Sequence, residues 1–238
     1  MKVYRNEIKQ YISYLEYCHL KNILAKTMKK DRFQTDENGY FIRSLYFDSI
    51  HDNDFIEKII GVENRKKIRL RIYDLNTDKV KLEIKNKYGE YMLKESVTIT
   101  RSEALDLIRG NTYWMTGKDN ETLNKVYYYF KKDYYRPSII IDYMRDAYML
   151  DFNNIRITFD KNVRTSKRFD SFFDNKADNF ICTNPETVIL EIKYDRQLPY
   201  WVKELFSCYS PDKQAISKFC MGIINIQNKY MGDEINEY

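Results

Sequence analysis

From residue 65 to residue 87 apolar and cationic residues alternate in two runs joined by a polar turn at 74–78. Ile68, Leu70 and Ile72 alternate with Lys67, Arg69, Arg71 and Tyr73. Val80, Leu82 and Ile84 alternate with Lys79, Lys81, Glu83, Lys85 and Lys87. A period of two places successive side chains on opposite faces of a sheet. This stretch therefore predicts a hairpin with one apolar face and one densely cationic face. Like charges on adjacent strands repel, and a bound polyanion would compensate them.

The same period predicts strands over residues 3–12, 40–48, 91–100, 135–148, 155–163 and 187–194. Helical patterns predict helices over 14–28, 51–60, 102–109, 119–132, 199–209 and 212–227. Ser13, with Glu16 three residues on, has the form of a capping box. Ser102 reads as the cap and Gly110 as the stop of the third helix, and Pro199 opens the fifth. Turns are expected at Asn38-Gly39, Tyr88-Gly89-Glu90 and Asn153-Asn154. Residues 167–179, polar and aromatic, read as an irregular surface segment. About eight strands with short antiparallel connections, and helices between and after them, give an α+β fold. With no internal repeat and no linker, residues 1–238 read as a single domain.

Composition narrows the setting. The chain has 238 residues and a formal net charge of +5, with 22 Tyr, 7 Gly and 4 Pro. Few glycines and prolines favour long continuous elements. The modest basic excess says only that anionic partners are tolerated. Cys18, Cys182, Cys208 and Cys220 form no CxxC pair, and with only His19 and His51 beside them a Cys/His zinc site has poor support. The cysteines read as reduced and the compartment as cytoplasmic. The first ten residues carry no apolar leader, and no apolar run reaches membrane-spanning length. No membrane insertion is expected from this chain, and a membrane role would need a separate membrane partner.

Charge recurs in phase on strand after strand. The set is Arg5, Glu7 and Lys9; Lys67, Arg69 and Arg71; Lys81, Glu83 and Lys85; Lys94; Arg145; Arg156 and Asp160; Glu191 and Lys193. On one strand such a pattern is an ordinary wet face. Across the whole set, Arg and Lys at strand centres with single glutamates between them point to a closed barrel whose interior is charged. Helices would then cover its apolar outside. Phosphate is the natural guest, since Arg offers it a planar fork and Lys a point charge. The in-phase carboxylates suit a hard divalent cation that bridges phosphates. No Walker loop, kinase motif or nucleic-acid-binding motif competes.

These residues resemble the VTC domain, the polyphosphate polymerase domain of the vacuolar transporter chaperone complex, in the triphosphate tunnel metalloenzyme (CYTH-like) superfamily. The matching pieces are RNEIK at 5–9, SLYFD at 44–48, IRLRIY at 68–73, LEIK at 82–85 and LKES at 93–96. DYMRDAY at 142–148, IRITFD at 155–160, LEIKYDRQLPYWV at 190–202 and ISKF at 216–219 complete the set. The resemblance implies a closed antiparallel eight-stranded β-barrel with helices packed outside and at the C-terminus. It also implies a metal-dependent polymerase that moves the γ-phosphate of ATP onto a growing polyphosphate chain.

Carried over by position, Lys9, Arg69, Arg71, Lys85, Lys94, Arg145 and Lys218 would grip the phosphates, with hydrogen bonds from Tyr143 and Ser217. Arg156 and Lys193 match basic positions of the tunnel, and Arg5 and Lys67 share the same phase. Glu191 would be the principal ligand of Mn²⁺ or Mg²⁺, with Glu7 and Glu83 supporting the metal or orienting the basic residues. Asp160 matches by position, without an assigned role. Glu7, Glu83 and Asp160 read equally well as internal ion-pair partners, and Tyr46, Phe47, Trp201 and Phe219 as packing. The chain shows neither the SPX-type regulatory domain nor the membrane-spanning tail of the eukaryotic complex, so regulation by inositol phosphates is not expected to carry over. Two further functions fit the same residues: a tripolyphosphatase or nucleoside triphosphatase, and a non-catalytic polyphosphate-binding module.

Overall fold

The computed structural model describes residues 5–34, 36–89, 91–175, 179–207, 209 and 215–235; the side chains of Arg5 and of 230–235 lie outside that description. Strand β1 (Arg5–Ser13) runs without a loop into helix α1 (Tyr14–Thr27). The expected capping box sets the junction. The Ser13 side chain accepts the Glu16 N–H at 3.2 Å, and the Glu16 carboxylate accepts the Ser13 N–H at 2.7 Å.

A two-residue strand, β2 (Lys29–Lys30), precedes β3 (Tyr40–Asp48). Helix α2 (Asn53–Ile59) then leads to the hairpin of β4 (Arg65–Ile72) and β5 (Lys79–Tyr88). Next come β6 (Tyr91–Thr100), α3 (Arg101–Ile108), α4 (Glu121–Lys132), β7 (Arg136–Leu150) and β8 (Ile155–Ser166). The chain continues with β9 (Phe180–Ile181), β10 (Thr187–Asp195), α5 (Tyr200–Ser207) and α6 (Lys218–Ile235). No helix among the described residues is long and apolar enough to cross a membrane.

The strands form one sheet in the order β1-β10-β8-β7-β3-β4-β5-β6, with β2 on β7 and β9 on β8. The described ladders are antiparallel. This is the α+β architecture expected from the alternating pattern, with eight strands on the continuous path. Closure of the expected barrel is not made by backbone hydrogen bonds among the described residues, because β1 and β6 end the path. Most of β6 is correspondingly exposed, as suits an edge strand.

Three local expectations change. The cap of α3 is Thr100, not Ser102, because Thr100 has an acid three residues on and forms both halves of a capping box with Glu103. Of residues 167–179, the described ones (167–175 and 179) are irregular but not all superficial: Phe172 and Phe173 are buried in the core. Arg43 accounts for this. Its Nη1 donates to the carbonyls of Ser171, Phe172 and Asp174 at 3.2, 3.1 and 2.7 Å, while Nε and Nη2 grip Asp142 at 2.8 and 2.7 Å. A buried guanidinium thus satisfies backbone groups that a strand would pair with a neighbour. The last helix begins at Lys218; Asp212, its expected start, lies outside the described residues.

The chain divides into two compact units. The first comprises Met1–Phe41, Tyr143–Val163 and Ile181–Ser217; the second comprises Ile42–Asp142, Arg164–Phe180 and Lys218–Tyr238. In the first, Ile12, Ile157, Phe159, Val188 and Leu190 of the sheet pack with Leu20 and Leu24 of α1 and with Val202 and Phe206 of α5. In the second, Leu70, Ile72, Val80 and Leu82 pack with Leu107 of α3 and with Leu123 and Val126 of α4. Each such side chain contributes about 1.5–3 kcal/mol of transfer free energy. These helices occupy the apolar face of the alternating strands, so the charged residues collect on the other.

Helix α6 behaves differently. Its Phe219 ring lies 5.1 Å from that of Tyr46, and Lys67 Nζ sits 5.0 Å from the Phe219 centroid, both residues of the charged face. Gly222 permits the approach: a Cβ there would stand 2.3 Å from Ile141 Cδ1.

Two buried acids, Asp48 and Asp54, sit at the start of helix α2. Asp48 accepts the N–H groups of Asp54 and Phe55 at 2.9 and 3.0 Å, filling the role that the Asp52 side chain leaves open. Asp54 is buried, bonded by the Tyr135 hydroxyl at 2.7 Å and 3.4 Å from Lys66 Nζ. Burial raises its pKa from 3.8 to about 7, more than Lys66 and Tyr135 offset. A carboxyl whose folded pKa is raised weakens the fold as pH climbs from the unfolded value toward the folded one. The contribution of Asp54 to stability should therefore fall between pH 3.8 and about 7 and then level off. Asp54→Asn should melt above the native chain at pH 8, by up to ~4 kcal/mol on the pKa-shift conversion, and match it at acid pH. Melting curves at several pH values check this; a difference independent of pH would refute it.

Candidate functional site

In the second unit the charged residues meet across β3, β4, β5 and β6. Register places Tyr46 opposite Arg69 and Ser44 opposite Arg71. Arg69 faces Glu83, Lys67 faces Lys85, and Lys85 faces Lys94. Glu83 is the centre of the group, with only 2% of the residue exposed. Arg69 gives Nε and Nη2 to its Oε2 at 2.7 and 2.6 Å, Arg71 Nη1 lies at 3.9 Å, and Lys94 pairs with the other oxygen. Burial pushes the Glu83 carboxyl up, but Arg69, Arg71 and Lys94 outweigh it and bring the pKa to about 2. The expected repulsion between the strands is thus relieved in part by one ionised carboxylate, and the named cations still outnumber it. Arg71 also bonds Ser44 at 3.2 Å. Lys218 is the first residue of α6, next to Phe219, and Ser217 precedes the helix.

In the first unit a second group forms on β1, β10, β8 and β7. Glu7 lies opposite Lys193, and Lys9 opposite Glu191. Lys9 Nζ stands 2.5 Å from Glu7 and 3.9 Å from Glu191, and Lys193 Nζ stands 2.7 Å from Glu191. Burial would raise the Glu191 pKa, yet Lys193, Lys9, a hydrogen bond with Glu7 and Arg145 hold it well below the usual range. Arg145 Nη2 lies 3.7 Å from Glu191, while its Nε and Nη2 grip Asp160 at 2.6 and 2.7 Å. Asp160, which carries no assigned role on sequence grounds, is therefore the residue that orients Arg145. The Tyr143 ring lies 5.2 Å from the same guanidinium. Gly39 (φ +87°) lets the preceding loop press on this strand; a Cβ would sit 2.4 Å from the Arg145 carbonyl oxygen.

Most of the residues singled out in the sequence therefore fall into two groups, one per unit, each built round a buried glutamate. Arg156 is tied to Asp31 at 2.8 Å and to the Tyr40 hydroxyl at 3.0 Å. The side chain of Arg5 lies outside the described residues. Asp31, Tyr40 and Ser44 are partners that strand alternation alone does not single out, since each is recognised only by the cation it touches.

A divalent cation is a matter of the carboxylates. Glu7 and Glu191 are within hydrogen-bonding reach of each other. Two carboxylates held that close call for a shared proton or cation, and oxygen donors are what Mg²⁺ and Mn²⁺ take. Glu191 is engaged by Lys9, Lys193 and Arg145 much as Glu83 is by Arg69, Arg71 and Lys94; what this pair adds is a second carboxylate, which fits such an ion. Among the described residues no group of three His, Cys, Asp or Glu side chains that could hold a metal ion stands together.

Known proteins share this fold. A proposed adenylyl cyclase from Hippeastrum, described as having a dominant triphosphatase activity, superposes with a TM-score of 0.52 at 14% identity, over 90% of this chain and 92% of that one. A proposed adenylate cyclase from Bacillus halodurans gives a TM-score of 0.51 at 11% identity, over 90% and 95%. At these identities the likeness is one of fold. No curated protein sequence matches significantly. The model of the VTC domain family matches residues 4–226, nearly the whole chain. The chain belongs to the VTC domain family.

Proposed function

We propose that this chain is an ATP-dependent polyphosphate polymerase working as one domain, which transfers the γ-phosphate of ATP onto the end of a growing polyphosphate chain. The supporting observation is the pair of cationic groups, each ordered in advance by one ionised, buried glutamate. Phosphoryl transfer needs positioning and charge neutralisation more than covalent chemistry. Arg69 and Arg71 offer planar forks to phosphate oxygens, with Lys67, Lys85, Lys94 and Lys218 as point charges. Lys9, Arg145, Arg156 and Lys193 do the same in the other unit, with Arg5 on the same strand phase. Tyr143 and Ser217 supply hydrogen bonds. Glu191 and Glu7 would hold Mn²⁺ or Mg²⁺, which when bound neutralises charge on the phosphate oxygens. The reaction is assigned to the cytoplasm, with any export left to a separate membrane protein.

A second reading is a tripolyphosphatase or nucleoside triphosphatase, favoured by the shared fold with the Hippeastrum protein. Purified chain with ATP and Mn²⁺, followed by gel for polymer and by assay for free phosphate, separates the two. A ladder of polyphosphate supports the polymerase; free phosphate alone supports the hydrolase. Glu191→Gln should abolish metal-dependent turnover, by on the order of 100-fold or more on the scale of lost electrostatic stabilisation. It should leave tripolyphosphate binding largely in place. Unchanged turnover in that variant would remove Glu191 from the metal site, and bound ATP with no product would favour a binding module.

A further inference from the structure

Tyr46 and Phe47 are consecutive residues of β3, and their rings point to opposite faces. Phe47 packs against Phe130 with ring centroids 5.1 Å apart, inside the apolar core. Tyr46 packs against Phe219 at the same separation, but on the charged face. Apolar packing needs no hydroxyl, and only the residue beside the cations has one. That oxygen lies 3.0 Å from Arg69 Nη1, which donates to it. The opposite edge of the same guanidinium is held by Glu83 through Nε and Nη2. Arg69 is thereby gripped on two sides, and its plane is fixed by contacts that do not involve a ligand.

The phenol's own proton remains. Its oxygen accepts from Arg69, and no acceptor among the described residues takes the O–H. Tyr46 is only 8% exposed, so bulk water is a poor substitute. Burial raises its pKa, but Arg69, Arg71 and Lys67 more than reverse this and bring it to about 8, which makes the phenol a stronger hydrogen-bond donor.

We propose that Tyr46 is a substrate-binding and positioning residue. Its oxygen fixes the Arg69 fork, and its O–H donates to an oxygen of the phosphate that Arg69 binds. This rests on the phosphate-binding reading of the second-unit group and adds to it a neutral donor among cations. Such a donor can follow a phosphate oxygen as its charge changes without adding to the repulsion between strands.

The test uses the full chain and inorganic tripolyphosphate, with Tyr46→Phe and Arg69→Ala measured by titration calorimetry beside melting curves. Tyr46→Phe keeps the ring on Phe219 but removes an acceptor of Arg69, so its melting temperature should fall by only about a few degrees. Its dissociation constant should rise roughly 10-fold or more, as expected for a hydrogen bond to a charged group. A structural role alone would leave affinity untouched. Native affinity in Tyr46→Phe with weakened Arg69→Ala would overturn the role of Tyr46 only. Native affinity in both would overturn the phosphate-binding reading of this face, and the role of Tyr46 with it.

Discussion

Glu83→Gln should melt roughly 10 °C below the native chain in dilute buffer and regain much of that loss in tripolyphosphate. The carboxylate is the shared partner of Arg69, Arg71 and Lys94. Removing one partner of a buried ion pair costs about 3–5 kcal/mol, because the remaining charge is left uncompensated. In a chain of this size each kcal/mol moves the midpoint by about 2–4 °C. Lys94 is 52% exposed on its side chain and will be relieved by water, which places the expected loss toward the lower part of that range. A bound polyanion restores negative charge where the carboxylate stood and stabilises the folded state by mass action. Tripolyphosphate should therefore raise the melting temperature of Glu83→Gln more than that of the native chain. Equal shifts in the two proteins would mean that the ligand binds away from these residues.

Asp160→Asn should cut turnover on the order of 100-fold while the protein remains folded at assay temperature. Asp160 holds two nitrogens of Arg145, and the same guanidinium stands 3.7 Å from Glu191. Without the bidentate grip, Arg145 is drawn toward Glu191, where Lys9 and Lys193 already stand. A displacement of about 1 Å in a positioning group is enough for a loss of that size. Arg145→Lys keeps the charge but not the fork, so it should resemble Asp160→Asn in rate and differ in stability, because Asp160 retains a cation. Native turnover in Asp160→Asn, measured by phosphate transfer well below the melting range, would show that the orientation of Arg145 is not used in the reaction.

The strands were legible because their alternation is uninterrupted. The bounds of β3 and β6 follow the sequence pattern to the residue, with Gly39 and Gly89 marking the turns before them. The in-phase glutamates at 83 and 191 were legible for the same reason. The hydroxyls at 100 and 102 could not be ranked by type, since both cap helices. The acid three residues beyond Thr100 decided it, and Leu105 stands at that spacing from Ser102. The Arg43 clamp left no periodic signature, because it joins residues 99 to 131 positions apart. Asp31 is hidden for the same reason, lying 125 positions from Arg156. Tyr46 was read as packing, which it is; its hydroxyl acquires a partner only once β3 and β4 are in register.

The direct passage of β1 into α1 and of β6 into α3 constrains how the gene for this chain can vary in length. In each case a strand and a helix share a capping residue, Ser13 or Thr100, with no loop to absorb a change. Losing or gaining one codon between Lys9 and Ser13 would turn Glu7 and Lys9 toward the apolar core and Ile8 toward the ionic face. Point substitutions on these strands alter one contact at a time, whereas a frame-preserving indel inverts the polarity of the whole strand. Length variation among related chains is thus expected in the 31–39 and 109–120 connections, with the two junctions constant.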